Sequence, residues 1–504
     1  MPATEGIVLM TSRPNRAIAA AAVATLTATT AIATLAAPAQ AKAKAPVWTR
    51  LSAGSGVGIS SQPRVVRWHG KLIVVWPQDT DSAHTSIRSR ILAPTAKPVG
   101  GVSDVVTSWS SVTSDPDVLL LGGVPTVAFG GLRTNDSTDP YTGPMAYAQA
   151  ADATSWALGP GSLTQSHSAY GDYGFGVVDN GAGQPVSAGA YSSSDHVTIH
   201  YGIDPSVPAA APDLQTAGTV EAQDVDVARD SKTGAIYALW YSGASAPTQQ
   251  GVHSAQIWPA VGPPSAPAPL STVNFGGGKA SVNPSQNVAV AGRVGGGVWA
   301  AYSSGYPSPT KLVLWNVETG RTLTLRTSGA IQYTGISAAP GGRMWVWWIQ
   351  GSTLYATRTN PSVTKFGIVR SVASPAAPGE SPTRTSGDGA LGPLDAVINV
   401  VGKVKDASGN YLAEIDSTRI LEGLRVAVSP AKVSYAKGGT VVVSVTDAGV
   451  PVPGVSVKIG SVVEHTNAKG RVSFTVAKHS AKGVHAVTAS AAGWWPGKSS
   501  FKVG

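Results

Sequence analysis

Cysteine is absent from the 504-residue chain. Disulfides, thiol catalysis and cysteine-ligated metal centres are thereby excluded, and each domain must rest on its own core. Charge is scarce too: Asp, Glu, Lys and Arg make up 13% of the residues. That level, beside 58 glycines and 36 prolines, argues against helical bundles and coiled coils and suits an all-β protein of short strands and many turns. The nine histidines include no His-Glu-x-x-His and no close pairing with acids, so no metal site is expected. Asp79-Thr80-Asp81 and Asp224-Val225-Asp226 lack the glycine and distal glutamate of a calcium loop, and the second pair lies in a strand pattern, so a solvated acidic turn is favoured over calcium ligation. No phosphate-cradling glycine loop and no Gly-x-Ser-x-Gly elbow is present, and no cofactor is expected.

Residues 1–41 read as a signal peptide. Arg13 and Arg16 form a basic start, 17–37 is an uncharged run of small and apolar residues, and Ala39-Gln40-Ala41 is a cleavage-type tripeptide. Met10 is an alternative start, because 10–41 alone make a complete signal. The competing reading, a membrane anchor, is disfavoured by the weak hydrophobicity of the Ala/Thr-rich run. No later stretch is apolar enough to span a bilayer, so a secreted, extracellular or cell-surface protein without a transmembrane anchor is expected. The Ala/Gly/Pro-rich usage points to a bacterial source.

Seven glycines are each followed by an apolar run: GKLIVVW at 70–76, GVPTVAF at 123–129, GQPVSAG at 183–189, GAIYALW at 234–240, GGVWAAY at 296–302, GRMWVWW at 342–348 and GPLDAVI at 392–398. They recur at intervals of 46 to 62 residues. One β-rich run per period near fifty is the sequence mark of a β-propeller. Residues 42–424 are therefore expected to form one, with seven blades, or six if the weak last repeat is a linker. Residues 46–60 would supply the outer strand of the last blade and remove an exposed edge. In WVWW at 345–348, alternation puts Trp345 and Trp347 on one face and Trp348 on the other.

The last eighty residues differ. VAVSPAKVSY from 426, TVVVSVTD from 440, VSVKIG from 455, RVSFTVA from 471 and VHAVTASA from 484 are alternating strands split by turn residues, a small β-sandwich pattern. Residues 42–424 hold 25 basic and 25 acidic residues, whereas 425–504 hold ten basic residues against Asp447 and Glu464. The Val-Ser-Pro entry, PGVSV from 453 and TNAKGRVSFTV from 466 resemble the bacterial immunoglobulin-like domains of surface adhesins. That resemblance implies an immunoglobulin-like β-sandwich over 425–504, and the charge points to attachment to an anionic cell-wall polymer.

The repeats resemble the sialidase-like propellers, whose Asp boxes read Ser-x-Asp-x-Gly-x-Thr-Trp; AADATSW at 150–156 is similar to one such box with a residue lost. The resemblance implies a tyrosine nucleophile activated by a glutamate, an acid aspartate, and three arginines clamping a carboxylate. Tyr333 would be the nucleophile, Glu221 its activator, and Asp79 or Asp81 the acid. The arginines depart from the pattern: Ser61-Gln62-Pro63, Trp240-Tyr241 and Lys311 stand at the matching places, and the clamp would have to come from Arg64, Arg293 or Arg343. The plainer reading makes all these ordinary loop and strand-end residues. Trp68, Trp109 and Trp156, near strand ends, are candidates to stack on sugar rings, and Trp494-Trp495 to meet an anionic polymer. A hydrophobic plug is the competing role of that pair. The expected function is extracellular or cell-surface binding of carbohydrate or protein, without nucleic acid. The alternatives are a sialidase-like glycoside hydrolase and a structural surface protein without a small ligand.

Overall fold

The computed structural model describes residues 47–52, 62–80, 84–112, 115–134, 143–159, 175–190, 196–201, 214–215, 222–242, 251–271, 287–305, 308–376, 380–405 and 411–504. The chain divides into two units, 1–42 and 43–504. The first, and with it the expected signal peptide, lies outside the described residues. The described chain is all-β: one 3-10 turn at Pro340–Gly342 is its sole helical element, and no helix in it is long and apolar enough to cross a membrane.

Seven small antiparallel sheets follow one another up to Ile420. Their first strands are Arg64–Trp68, Asp117–Leu121, Phe175–Asp179, Ala222–Arg229, Ala289–Gly292, Tyr333–Ala339 and Ser381–Asp388. Each lies beside the first strand of the next sheet, and Ser381–Asp388 lies beside Arg64–Trp68, so the series returns to its start. Thr49–Arg50 is the outermost strand of the seventh sheet, pairing with Ser417 and Asp416 of Tyr411–Ile420. Arg67 locks the first and seventh sheets, its Nε and Nη2 donating to Asp388 and Asp395 at 2.8 Å each.

The local cause of the repeat is the hairpin between first and second strands. All seven glycines that open the apolar runs sit there with φ between 74° and 107°. Only glycine adopts that region without strain. The strand that follows is sandwiched between neighbouring sheets and is apolar on both faces. Leu72, Val74 and Trp76 of the first sheet meet Val397, Ala413 and Ile415 of the seventh. Ile73 and Val75 face Val127 and Phe129 of the second. In Arg343–Gln350, Trp345 and Trp347 pack toward the seventh sheet and Trp348 toward the fifth, as alternation requires.

Residues 425–504 form two facing sheets. One holds Arg425–Ser429, Gly439–Asp447, Val450–Pro451 and Arg471–Val476; the other holds Lys432–Val433, Ser456–Ile459, Val462–His465, Gly483–Ser490 and Gly497–Val503. Val441, Val443 and Val445 meet Val457, Val487, Ala489 and Phe501 between them. This pair of sheets is fastened to the sixth sheet through ion pairs. Asp447 takes Arg358 Nη2 at 2.6 Å and Arg343 Nη1 at 3.0 Å, and Arg358 also pairs with Glu422.

Candidate functional site at the mouth of the ring

The seven first strands bring distant residues together where they begin. Arg64, Asp117 and Tyr333 are the opening residues of three of them. Asp115 lies just ahead of Asp117, Asp224 and Asp226 lie in Ala222–Arg229, and Arg384 lies in Ser381–Asp388. These seven side chains share one electrostatic environment: Asp226, Asp117, Tyr333 and Asp115 act on Arg64, and Arg384, Arg64, Asp224 and Asp115 act on Tyr333. The Arg384 guanidinium stands 5.1 Å from the centre of the Tyr333 ring.

Local structure explains the arrangement. The pairing of Ala222–Arg229 slips between Gln223 and Asp226, and Asp224 has φ 51°. A bulge of this kind re-aims side chains, and positive φ at a non-glycine residue costs on the order of 1–3 kcal/mol. Asp117 and Asp226 play equivalent parts two sheets apart. Asp117 accepts from Val118 N at 2.9 Å and from Val177 N of the third sheet at 3.0 Å. Asp226 accepts from Val227 N at 2.9 Å and also takes the Val290 amide of the fifth sheet. Both staple neighbouring first strands. Asp115 accepts from Gln62 N at 3.0 Å. Arg64 is less well served: its nearest Asp226 oxygen is 3.7 Å away, and its buried Nε has no hydrogen-bond partner among the described residues.

Burial governs the protonation of the cluster. It pushes the Asp224 carboxyl up to about 6, against the pull of Arg384 and Arg64 and with Asp115 adding to the rise. It raises Asp226 and Asp117 as well, with Arg64 opposing. The Tyr333 phenol is driven upward by burial, although Arg384 and Arg64 act the other way. Burial alone would lower Arg64, but Asp226, Asp117, Tyr333 and Asp115 together hold it well above its ordinary value. The folded chain therefore binds the Asp224 proton more tightly than the unfolded chain. The resulting stability is full below the ordinary value of 3.8 and is lost as pH rises through about 6. Asp224→Asn is expected to flatten this part of the unfolding free energy profile between those limits. An unchanged slope in denaturant titrations across the window would refute the assignment.

The residues singled out from sequence fall in several places. Tyr333 lies in the cluster and is 2% exposed. Asp79 ends Lys71–Asp79, exposed, and accepts from Thr85 Oγ1 at 2.9 Å; it is not among the groups acting on Tyr333. Glu221 and Asp81 lie outside the described residues. Trp109 requires a correction: it is 2% exposed, edge-on to Phe129 in the core between the first two sheets, and has no face to offer a sugar. Trp156 is half-buried and donates to Ser89 Oγ at 3.1 Å. It follows a turn in which Asp152 Oδ1 accepts from Thr154 N and Ser155 N at 2.8 Å, so this ring is a peg between sheets. Trp68 stacks on His69 with centroids 4.5 Å apart, at the far end of the first strand from Arg64. Trp494 and Trp495 are half-buried at the junction with the sixth sheet, beside Glu422 and Gly423. Arg358 stands 5.4 Å from the Trp494 ring and Arg370 3.9 Å from that of Trp495, so these rings clasp arginines of the chain itself.

Arg293 donates to the carbonyls of Gly342, Gly296 and Pro361, and Arg343 serves Asp447, so neither reaches the mouth. Arg64, one of the three arginines singled out from sequence, does, together with Arg384, which the sequence reading did not single out. The available signal was positional: Pro63, Pro116 and Pro382 each mark the entry of a first strand, within two residues of Arg64, Asp117 and Arg384.

No family profile and no curated relative matches the chain. Among solved structures it is similar to a fucose-specific lectin from Aleuria aurantia, at 10% identity and a TM-score of 0.38 over 72% of this chain and 97% of that one. It is similar to the subtype N11 neuraminidase-like protein of A/flat-faced bat/Peru at 9% and 0.36, over 75% of this chain and 97% of that one. A Trypanosoma rangeli sialidase in complex with the inhibitor DANA gives 10% and 0.36, over 75% of this chain and 58% of that one. Nothing about the ligand of this chain follows from likenesses at this level.

Proposed function

We propose that this chain is an exported binding protein, a seven-bladed β-propeller followed by an immunoglobulin-like sandwich, whose ring mouth takes a neutral carbohydrate. The basic sandwich attaches the protein to an anionic surface. The observation that carries the mouth reading is the meeting of Arg64, Arg384, Asp115 and Asp224 around Tyr333. A sugar hydroxyl both donates and accepts, so fixed guanidinium donors interleaved with carboxylate acceptors match a polyol. Four aspartates beside two arginines leave no guanidinium charge unanswered for a carboxylated sugar, even with the carboxyls that burial pushes up partly protonated, which speaks for a neutral ligand. Among the described residues no acceptor meets the buried Arg64 Nε, and the guanidinium stands 3.7 Å from the Asp226 carboxylate.

A glycan array with the full chain tests this. Binding to neutral glycans is expected, and Arg64→Ala and Asp224→Asn are each expected to weaken it by about tenfold or more, the loss of one charge-assisted hydrogen bond. An array with no neutral hit, or hits indifferent to both substitutions, would sink the reading. The sialidase-like hydrolase stays as a second reading because Tyr333 does stand near two arginines. Against it, burial raises the phenol, whereas a nucleophile needs its proton more easily lost. Turnover of a fluorogenic sialoside, abolished in Tyr333→Phe, would establish that enzyme instead.

A further inference from the structure

The ten basic residues of 425–504 are all exposed, yet they are not evenly placed. Gly439–Asp447 and Gly483–Ser490 both run toward the junction with the sixth sheet, and Gly497–Val503 runs away from it. Lys432, Lys437, Lys478, Lys482 and Lys502 therefore gather at the end remote from that junction. Lys432 sits opposite Lys502 on adjacent parallel strands, and both Cε atoms lie 3.9 Å from where a Cβ on Gly504 would stand. Gly438, next to Lys437, abuts the Lys478 amide: a Cβ there would be 3.0 Å from it. His479 N donates to the Tyr435 carbonyl at 2.8 Å, and Lys482 Nζ stands 4.4 Å from the Tyr435 ring centre.

Acids are missing from this end. Asp447 is consumed by Arg343 and Arg358 at the junction, and Glu464 pairs with Val457, whose other neighbour is Ala489 on the junction side. Like charges directly opposite on neighbouring strands are unfavourable, and a bound anion relieves them. Lysines act as mobile point charges without bidentate geometry, which fits anions repeated along a flexible polymer. Single-stranded nucleic acid would need open aromatic faces, and Tyr435 is covered by Lys482 and His479.

We infer that this distal lysine end, which holds no arginine fork for planar carboxylates, is the docking surface for an extended non-nucleic polymer of phosphodiesters. The inference rests on the surface-attachment reading above and gives it a location. The test uses the full chain with poly(glycerol phosphate), polygalacturonate and single-stranded DNA as probes, which separates the two anion types from nucleic acid. One variant carries Lys432→Gln, Lys478→Gln, Lys482→Gln and Lys502→Gln. A control of equal charge change carries Lys458→Gln, Lys469→Gln, Arg471→Gln and Lys498→Gln. The distal variant is expected to lose about tenfold or more in affinity near physiological salt, with a shallower salt dependence, and the control less than about threefold. Equal losses in both, or tighter binding of polygalacturonate or DNA than of poly(glycerol phosphate), would overturn the inference. If the unsubstituted chain binds neither polyanion, the attachment reading itself falls; if it binds and only the control loses affinity, the location alone is wrong.

Discussion

Asp447→Ala is expected to lower the free energy of unfolding by about 3–5 kcal/mol, because it strands buried guanidinium charge. Asp447 is 2% exposed and meets Arg358 and Arg343 at 2.6 and 3.0 Å. Arg358 keeps Glu422 as a second partner, but among the described residues Arg343 keeps a carbonyl alone, that of Thr359 at 3.0 Å. Adding Arg343→Met and Arg358→Met to Asp447→Ala should recover much of the loss, since apolar replacement of a whole buried network is often near neutral. The denaturation midpoint of the full chain is the readout. A triple variant no better than the single one would mean that the arginines had found other partners. The network holds the C-terminal sheets against the sixth sheet, so the lysine end has a set direction relative to the seven sheets.

The second large effect is expected at Trp347. This indole is 2% exposed in the core between the sixth and seventh sheets. Two glycines make room for it: a Cβ on Gly335 would stand 2.1 Å from its Cε2, and one on Gly387 3.2 Å from its Cζ2. Trp347→Ala should cost about 3–5 kcal/mol through lost burial and the cavity left behind. Gly335→Ala should cost about 1–3 kcal/mol from overpacking. Combining Gly335→Ala with Trp347→Phe should then recover part of the Gly335→Ala loss. Thermal unfolding of the unsubstituted chain, Gly335→Ala, Trp347→Phe and the double variant decides it: additive losses in the double variant would show that the two sites do not share one space.

Much of this protein follows from sequence because its causes are local. A glycine forced to positive φ and an apolar run sandwiched on both faces leave the same mark in each repeat, from Gly70 to Gly392. Alternation along Arg343–Gln350 likewise assigns Trp345 and Trp347 to one core and Trp348 to another. The excess of basic residues after 424 is a matter of counting. The mouth could not be read in this way. Arg64, Asp117, Asp224, Tyr333 and Arg384 are separated by roughly fifty residues or more at each step and share no motif. They meet only because successive first strands lie side by side and the seventh returns to the first. The tertiary structure also reassigned the aromatic candidates, since exposure depends on what the next sheet places over a ring. Trp109 is sealed by Phe129, Trp156 is pegged to Ser89, and Trp494 and Trp495 lie against Arg358 and Arg370. Sequence determines what each strand buries; the closing of the sheets on one another decides which charges meet and which rings stay open to a ligand.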